Sequence, residues 1–454
     1  MSWFHNVKMS WFRVFQENRD GLVKSRRNLY ASNLINTVIS YLVATTFYTT
    51  LLLVLFRGEP DSLRNEYIGN IAILQTAASF LQMVAPLILE RMRSRKKFII
   101  VMRCIYHFLE IIGLGIVPLL PFGIIAKANI FMVICGLISA VNALYTPGMQ
   151  AWHIYPVRND IRSDYFALNS MSTAILANLV AMITGLILDA AAIHQNEYII
   201  ILAARTISIP LVVIAMRKWW KIAEPEYPIG EKRPSFAKIM MVPFRYPKYL
   251  INTSIAALWA VGSAAMGSYY SAYILSDGGV SYTLISVTNL SGMPLTLIFT
   301  PIWNQVARKV GLMRLMPIGM FLYSITYAIN GLVTKDTTIL YLLGSVYCCS
   351  VAPAYSLGVT NLMFDGMPKE GQSTCVAFYS TMTSLLTFVG AWIGKGFMRI
   401  TEGKIVHIFG LELTNGACIS FLPFFFMVLT SVFAALVYWR KKKEVQEPEE
   451  TVTM

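Results

Sequence analysis

The chain has 454 residues, 56% of them hydrophobic and only 14% charged, with a mean hydropathy of +0.56. Soluble domains carry about 25% charged residues, so this composition excludes a water-soluble globule and a disordered chain, and the lack of a short period excludes a fibre. The 38 Lys and Arg against 24 Asp and Glu leave +14; in a chain that uses lipid as solvent, that surplus bears on topology rather than on nucleic acid, and no nucleic-acid partner is expected.

In chain order, residues 1–28 place Trp3, Phe4, Val7, Trp11, Val14 and Phe15 at helical spacing, interrupted by Lys8, Arg13 and Arg19. That pattern predicts a cytoplasmic amphipathic N-terminal segment lying on the membrane, not a signal peptide. Apolar runs follow at 29–56, 66–90, 98–119, 127–152, 165–190 and 197–216, the N-terminal bundle of 29–216. Each is long enough to cross a bilayer, which takes about 20 residues. The stretch 217–248, with Pro225, Pro228, Pro234, Pro243 and Pro247, is too polar to cross and reads as a cytoplasmic linker. Runs near 249–275, 283–306, 315–333, 337–363, 373–398 and 416–439 form a second bundle over 249–439, and 440–454 is a charged tail. The expected fold class is an all-α membrane protein with twelve transmembrane helices in two six-helix bundles.

Loop charges orient this map. With the N-terminus cytoplasmic, 29 Lys and Arg fall on that side and six on the other, while Arg103, Arg205 and Lys395 lie inside spans. The asymmetry places both termini in the cytoplasm of a multi-pass plasma (inner) membrane protein.

An internal repeat supports the division. NLINTVISYL at 33–42 matches YLINTSIAAL at 249–258 in six of ten positions, and an offset of 210 lays Tyr145, Gly148 and Ser163 on Tyr355, Gly358 and Ser373. An even number of spans per half makes the repeat parallel. The six cysteines all lie in apolar runs without C-x-x-C spacing, which argues against disulfides and zinc.

The loop after the second run reads Pro86-Leu-Ile-Leu-Glu90-Arg91-Met-Arg93-Ser-Arg95-Lys96-Lys97, and its counterpart is Asn304-Gln-Val306-Ala307-Arg308-Lys309-Val-Gly311. With the span count, repeat and linker, these residues resemble the major facilitator superfamily, whose loop signature is G-x-L-A-D-R-x-G-R-K. Glu90 stands for the acid, Arg93 replaces the first glycine after it, and Arg308 replaces the acid of the second copy. The resemblance implies secondary transport by rocking of two bundles about a midplane site, without covalent catalysis or cofactor, with coupling to a proton or sodium gradient open, in a monomer that meets only its solute and the lipid bilayer. Glu90 and Arg91, with Arg308 and Lys309, are then gating candidates, against the plainer reading of topology and lipid binding.

Arg103, His107 and Glu110 share one face of the third run, and Arg205 lies in the sixth. Charges at that depth mark function by default. A proton relay competes here with a structural ion pair between Glu110 and Arg205, because the third and sixth helices are peripheral in the resembled fold. There the first, fourth, seventh and tenth helices line the cavity. Their polar stripes nominate Thr37, Tyr41, Thr45 and Tyr48; Asn142 and Tyr145; Trp259, Ser263 and Tyr270; and Tyr355, with polar helix packing as the alternative. Gly390 and Gly394 predict a close helix approach, and Asp189 and Lys395 are expected to snorkel to the outer face. With Asp, Glu, Lys and Arg absent from those stripes, the expected solute is small and neutral, sugar-like first, with multidrug or amphiphile efflux as the alternative. A membrane-embedded enzyme using His107 and Glu110, or a non-transporting sensor, is the rival from another class.

Overall fold

A computed structural model describes residues 11–16, 21–89, 92–158, 161–225, 241–362, 372–408 and 410–440. Glu90, Arg91, the linker over 226–240 and the tail beyond 440 lie outside them. Among the described residues, ten helices are long and apolar enough to cross a membrane: Val23–Leu55, Lys96–Leu119, Ile124–Ile154, Ser172–Ile193, Glu197–Trp220, Pro247–Ser276, Tyr282–Ala307, Leu312–Asn330, Ile339–Ser356 and Asn415–Trp439. They are the first, third to tenth and twelfth of the expected spans.

The second and eleventh expected spans are the helices Asp61–Ser79, continued by a 3-10 turn Phe80–Met83 and Ala85–Leu89, and Gln372–Ile400. Their lower hydropathy has a packing reason. They lie against each other at the junction of the halves, where Phe80 and Phe388 meet at 6.1 Å between ring centroids. Surface turned toward protein does not have to satisfy lipid.

The same neighbours recur in both halves. The first span packs on the fifth and sixth, and the fourth on the second and third; the seventh packs on the eleventh and twelfth, and the tenth on the eighth and ninth. Adding six to each number maps one set on the other, as a parallel repeat requires. Between the halves, the second packs on the eleventh and the fifth on the eighth, a pairing that the same two-fold exchange preserves.

The halves are joined unevenly. We call the face with the ends of the sixth span and the start of the seventh the linker face, and the other the far face. The largest apolar cluster contains Phe47, Tyr67 and Phe131 from one half with Met266, Tyr269 and Tyr273 from the other, toward the far face. The cluster around Trp152 and Trp219 draws on the N-terminal half alone, and those around Trp259 and Tyr249 on the C-terminal half alone. Burial therefore welds the halves on the far side and leaves separate cores on the linker side.

Local departures from regular helix set up the site. The first span is two helices, Val23–Val43 and Thr45–Leu55, broken at Ala44, which is extended with φ −97° and ψ −151°. The third carries one π-helical turn, Leu109–Gly113. Each break frees backbone carbonyls that lipid cannot satisfy. Gly390 and Gly394 take the close approach read from their spacing: a Cβ on either would collide with the backbone of Val261 or Ala265 in the seventh span. The fold is not purely helical. Val406–Ile408 and Leu411–Leu413 form an antiparallel hairpin on the far face, with His407 opposite Glu412.

Candidate functional site

A cavity of about 500 Å³ lies midway along the spans. The first contributes Tyr48, the second Gln75, Thr76 and Ser79, the third Tyr106 and Glu110, and the fourth Ser139 and Asn142. The C-terminal half presents Ala264 and Gly267 from the seventh span and Thr387 and Ala391 from the eleventh. Hydrogen-bonding groups are concentrated on one wall, and small side chains on the other.

Glu110 corrects two expectations. The third span reaches the cavity with Tyr106, Glu110 and Leu114, so the cavity wall is not free of charge. The Glu110 carboxylate, 8% exposed, accepts from Tyr106 Oη at 3.0 Å and lies 3.4 Å from His107 Nδ1, itself buried. It does not pair with the Arg205 guanidinium. Arg205, 2% exposed, donates instead to backbone carbonyls: Glu110, Ile111 at 3.2 Å and Val43 at 3.3 Å. The first two lie in the π turn, and the third immediately precedes the break at Ala44. A guanidinium has five N–H donors in a rigid fork, which suits it to gather several such acceptors.

Arg103, about two helical turns before Glu110 on the same face, donates to Tyr145 Oη and lies 4.7 Å from the Tyr106 ring centroid and 5.9 Å from that of Trp219. Aromatic faces balance the charge of this half-buried side chain by cation–π attraction. Tyr106 thus touches both ends of a chain from Arg103 to Glu110.

The remaining nominated residues separate. Tyr48 and Asn142 line the cavity; Tyr48 shares a 3.4 Å hydrogen bond with Cys135 Sγ, and Asn142 Oδ1 accepts from Thr146 at 3.1 Å. Tyr145 is fully buried against Arg103. Trp259 stacks on Tyr355 at 4.5 Å between centroids, and Tyr355 on Tyr323 at 4.8 Å. This aromatic column packs the C-terminal half, so the tenth span does not contribute its tyrosine to the cavity wall. Thr37 Oγ1 and Ser263 Oγ bond to carbonyls of their own helices, Asn33 and Ala260, which spares their hydroxyls from lipid. Tyr41 is half-buried, and Tyr270 packs at the margin of the shared apolar cluster. The Thr45 and Arg308 side chains and all of Glu90 and Arg91 fall outside the described positions; Lys309 is exposed at the end of the eighth span. Sequence reading passed over Gln75, Thr76, Ser79 and Thr387. The signal was present in the polar i, i+1, i+4 set of an otherwise apolar run.

The far side of the cavity is shut. Asp189, at the end of the fifth span, accepts from the backbone N–H groups of Tyr282 at 2.9 Å and Thr283 at 2.8 Å, capping the eighth span across the halves. Its carboxylate thus meets a helix dipole rather than simply reaching for water. Below it, Ser286 donates to the Ala181 carbonyl at 2.7 Å. Lys395 donates to Asn70 Oδ1, and Tyr269 closes over Gly69. This septum separates the cavity from a vestibule of about 350 Å³ lined by Glu66, Arg399 and Glu402.

Solved structures share this architecture. A mutant of the nucleoside transporter NupG superposes with a TM-score of 0.65 at 12% identity, covering 91% of this chain and 99% of that one. A D-xylose-proton symporter gives 0.64 at 13%, covering 90% and 96%, and a bacterial metal transporter 0.63 at 12%, covering 93% and 100%. No curated protein matches the sequence. The profile described as MFS_1 like family matches residues 63–409. The chain belongs to that family and is a non-enzymatic membrane transporter of the major facilitator type.

Proposed function

We propose that this protein carries a small, uncharged, hydroxyl-rich organic solute, sugar-like in chemistry, by alternating access, and that Glu110 binds the coupling proton. The observation that carries the reading is a midplane cavity whose described lining includes one ionisable carboxylate, Glu110, among neutral hydrogen-bonding groups. Gln75, Ser79, Ser139 and Asn142 match the donors and acceptors of hydroxyls, and small Ala264, Gly267 and Ala391 leave room opposite. One carboxylate suits a titrating group; a multiply charged solute would leave charge unpaired there. Similarity to carriers named for nucleosides and for D-xylose with a proton agrees with this class. Similarity to a metal transporter carries less weight, because among the described residues no three His, Cys, Asp or Glu side chains gather as metal ligands.

With both termini cytoplasmic, as the loop charges argue, the far face is extracellular and the structure is an inward-facing state of a plasma-membrane protein. Glu90, Arg91, Arg308 and Lys309 are the proposed latch on the opposite, cytoplasmic face. Proteoliposomes test the reading: labelled monosaccharides and nucleosides are offered with and without an imposed pH gradient. Gradient-driven accumulation of an unmodified solute is expected, and accumulation indifferent to pH contradicts the role of Glu110.

A further inference from the structure

A second site lies on the outside of the N-terminal half. The third and sixth spans run antiparallel and leave a groove of about 310 Å³ between Ile100 and Cys104 on one side and Val212, Val213 and Met216 on the other, with Arg217 and Trp220 at its linker-face end. Its surroundings face lipid: Val101, Ile105 and Phe108 of the third span and Ile209 and Ile214 of the sixth are all exposed apolar side chains. The groove is graded along the membrane normal. Cys104 lies about 12 Å into the bilayer from Lys96 by helix rise, whereas Arg217 lies about 5 Å from the end of its helix. Apolar wall lies deep, and charge lies at the rim.

We propose that this groove holds an anionic phospholipid of the adjacent leaflet, one acyl chain along Cys104, Val213 and Met216 and its phosphate at Arg217. Charge complementarity selects the occupant. Arg217 and Lys218 form the last turn of the sixth span, and the Lys96 ammonium sits 5.7 Å from the Trp220 ring centroid. The nearby carboxylate of Glu224 accepts from the backbone N–H groups of Arg95 at 2.5 Å and Lys96 at 2.8 Å and offsets the Lys96 charge, so the positive charge left at the rim is that of Arg217 and Lys218. Trp220, 55% exposed, stands at the depth where indoles meet headgroups. The site is distinct from the solute cavity and does not depend on which solute is carried.

Cys104 is exposed in the groove and reports occupancy. The full chain is placed in nanodiscs of phosphatidylcholine alone or mixed with phosphatidylglycerol, and alkylation of Cys104 by N-ethylmaleimide is followed by peptide mass spectrometry. Phosphatidylglycerol is expected to slow Cys104 alkylation by about five-fold, the factor for one basic contact to an anionic surface. Arg217→Lys should keep that protection and Arg217→Gln should lose it, with alkylation of Cys348 and Cys418 alike in both lipids. Equal Cys104 rates in the two lipids, or slowing that persists in Arg217→Gln, overturns the proposal.

Discussion

Arg205 donates to the Val43 carbonyl at 3.3 Å, and Val43 is the last residue before the break in the first span. The same guanidinium holds the carbonyls of Glu110 and Ile111 in the π turn of the third span. One side chain thus satisfies two interrupted helices, and both interruptions border the cavity, where Ala44 and Glu110 are wall residues.

Arg205→Met should therefore destabilise the protein by about 3 kcal/mol or more, since it leaves buried carbonyls without donors. Adding Glu110→Gln should recover little of that loss, because the carboxylate is held by the Tyr106 hydroxyl and makes no bond to the Arg205 guanidinium. A double-mutant cycle in thermal unfolding measures it; a coupling energy above about 2 kcal/mol would restore the ion pair to the account.

For Asp189→Asn, the expected outcome is a shift toward the state open at the far face. A carboxylate on a helix N-terminus is worth about 0.3–2 kcal/mol, enough to change the ratio of states up to about thirty-fold. Electron-spin distances between labels at His194 and Lys335, on far-face loops of the two halves, should lengthen. An unchanged distribution would show that the cap does not hold that face closed.

Two glycines of the C-terminal half should respond oppositely. A Cβ on Gly267 meets nothing within 4 Å, while one on Gly394 collides with Ala265. Gly267→Leu should fold, fill the cavity and reduce transport more than ten-fold, whereas Gly394→Leu should lower the melting temperature through overpacking of about 3 kcal/mol. Unimpaired transport in Gly267→Leu would remove that residue from the solute path.

Span positions and the repeat were legible because lipid imposes a length and an apolar composition on each crossing. The shared face of Arg103, His107 and Glu110 was legible for the same reason: period. Their partners were not. No glycine or proline marks the break at Val43-Ala44-Thr45, nor does any composition announce the π turn, so nothing in the sequence directs Arg205 to carbonyls instead of to Glu110. Tyr145 and Tyr355 occupy repeat-related positions and read alike, yet one serves a half-buried arginine and the other an aromatic column. Asp189 lies where a snorkelling acid belongs, and its real partner is a backbone terminus almost a hundred residues on. Low hydropathy in the second and eleventh spans reflects their mutual burial, a tertiary fact that looks like weakness in a window of sequence.

The central claim is that Glu110 couples the solute to a proton, and the most direct measurement is pH-gradient-driven accumulation in proteoliposomes of Glu110→Gln, for the solute that the screen identifies. Exchange of labelled for unlabelled solute, which needs no net proton movement, should persist in this variant, while accumulation driven by the gradient should fall to the level seen without one. Accumulation as large as that of the unmodified protein, in a variant that folds and exchanges normally, would contradict the account.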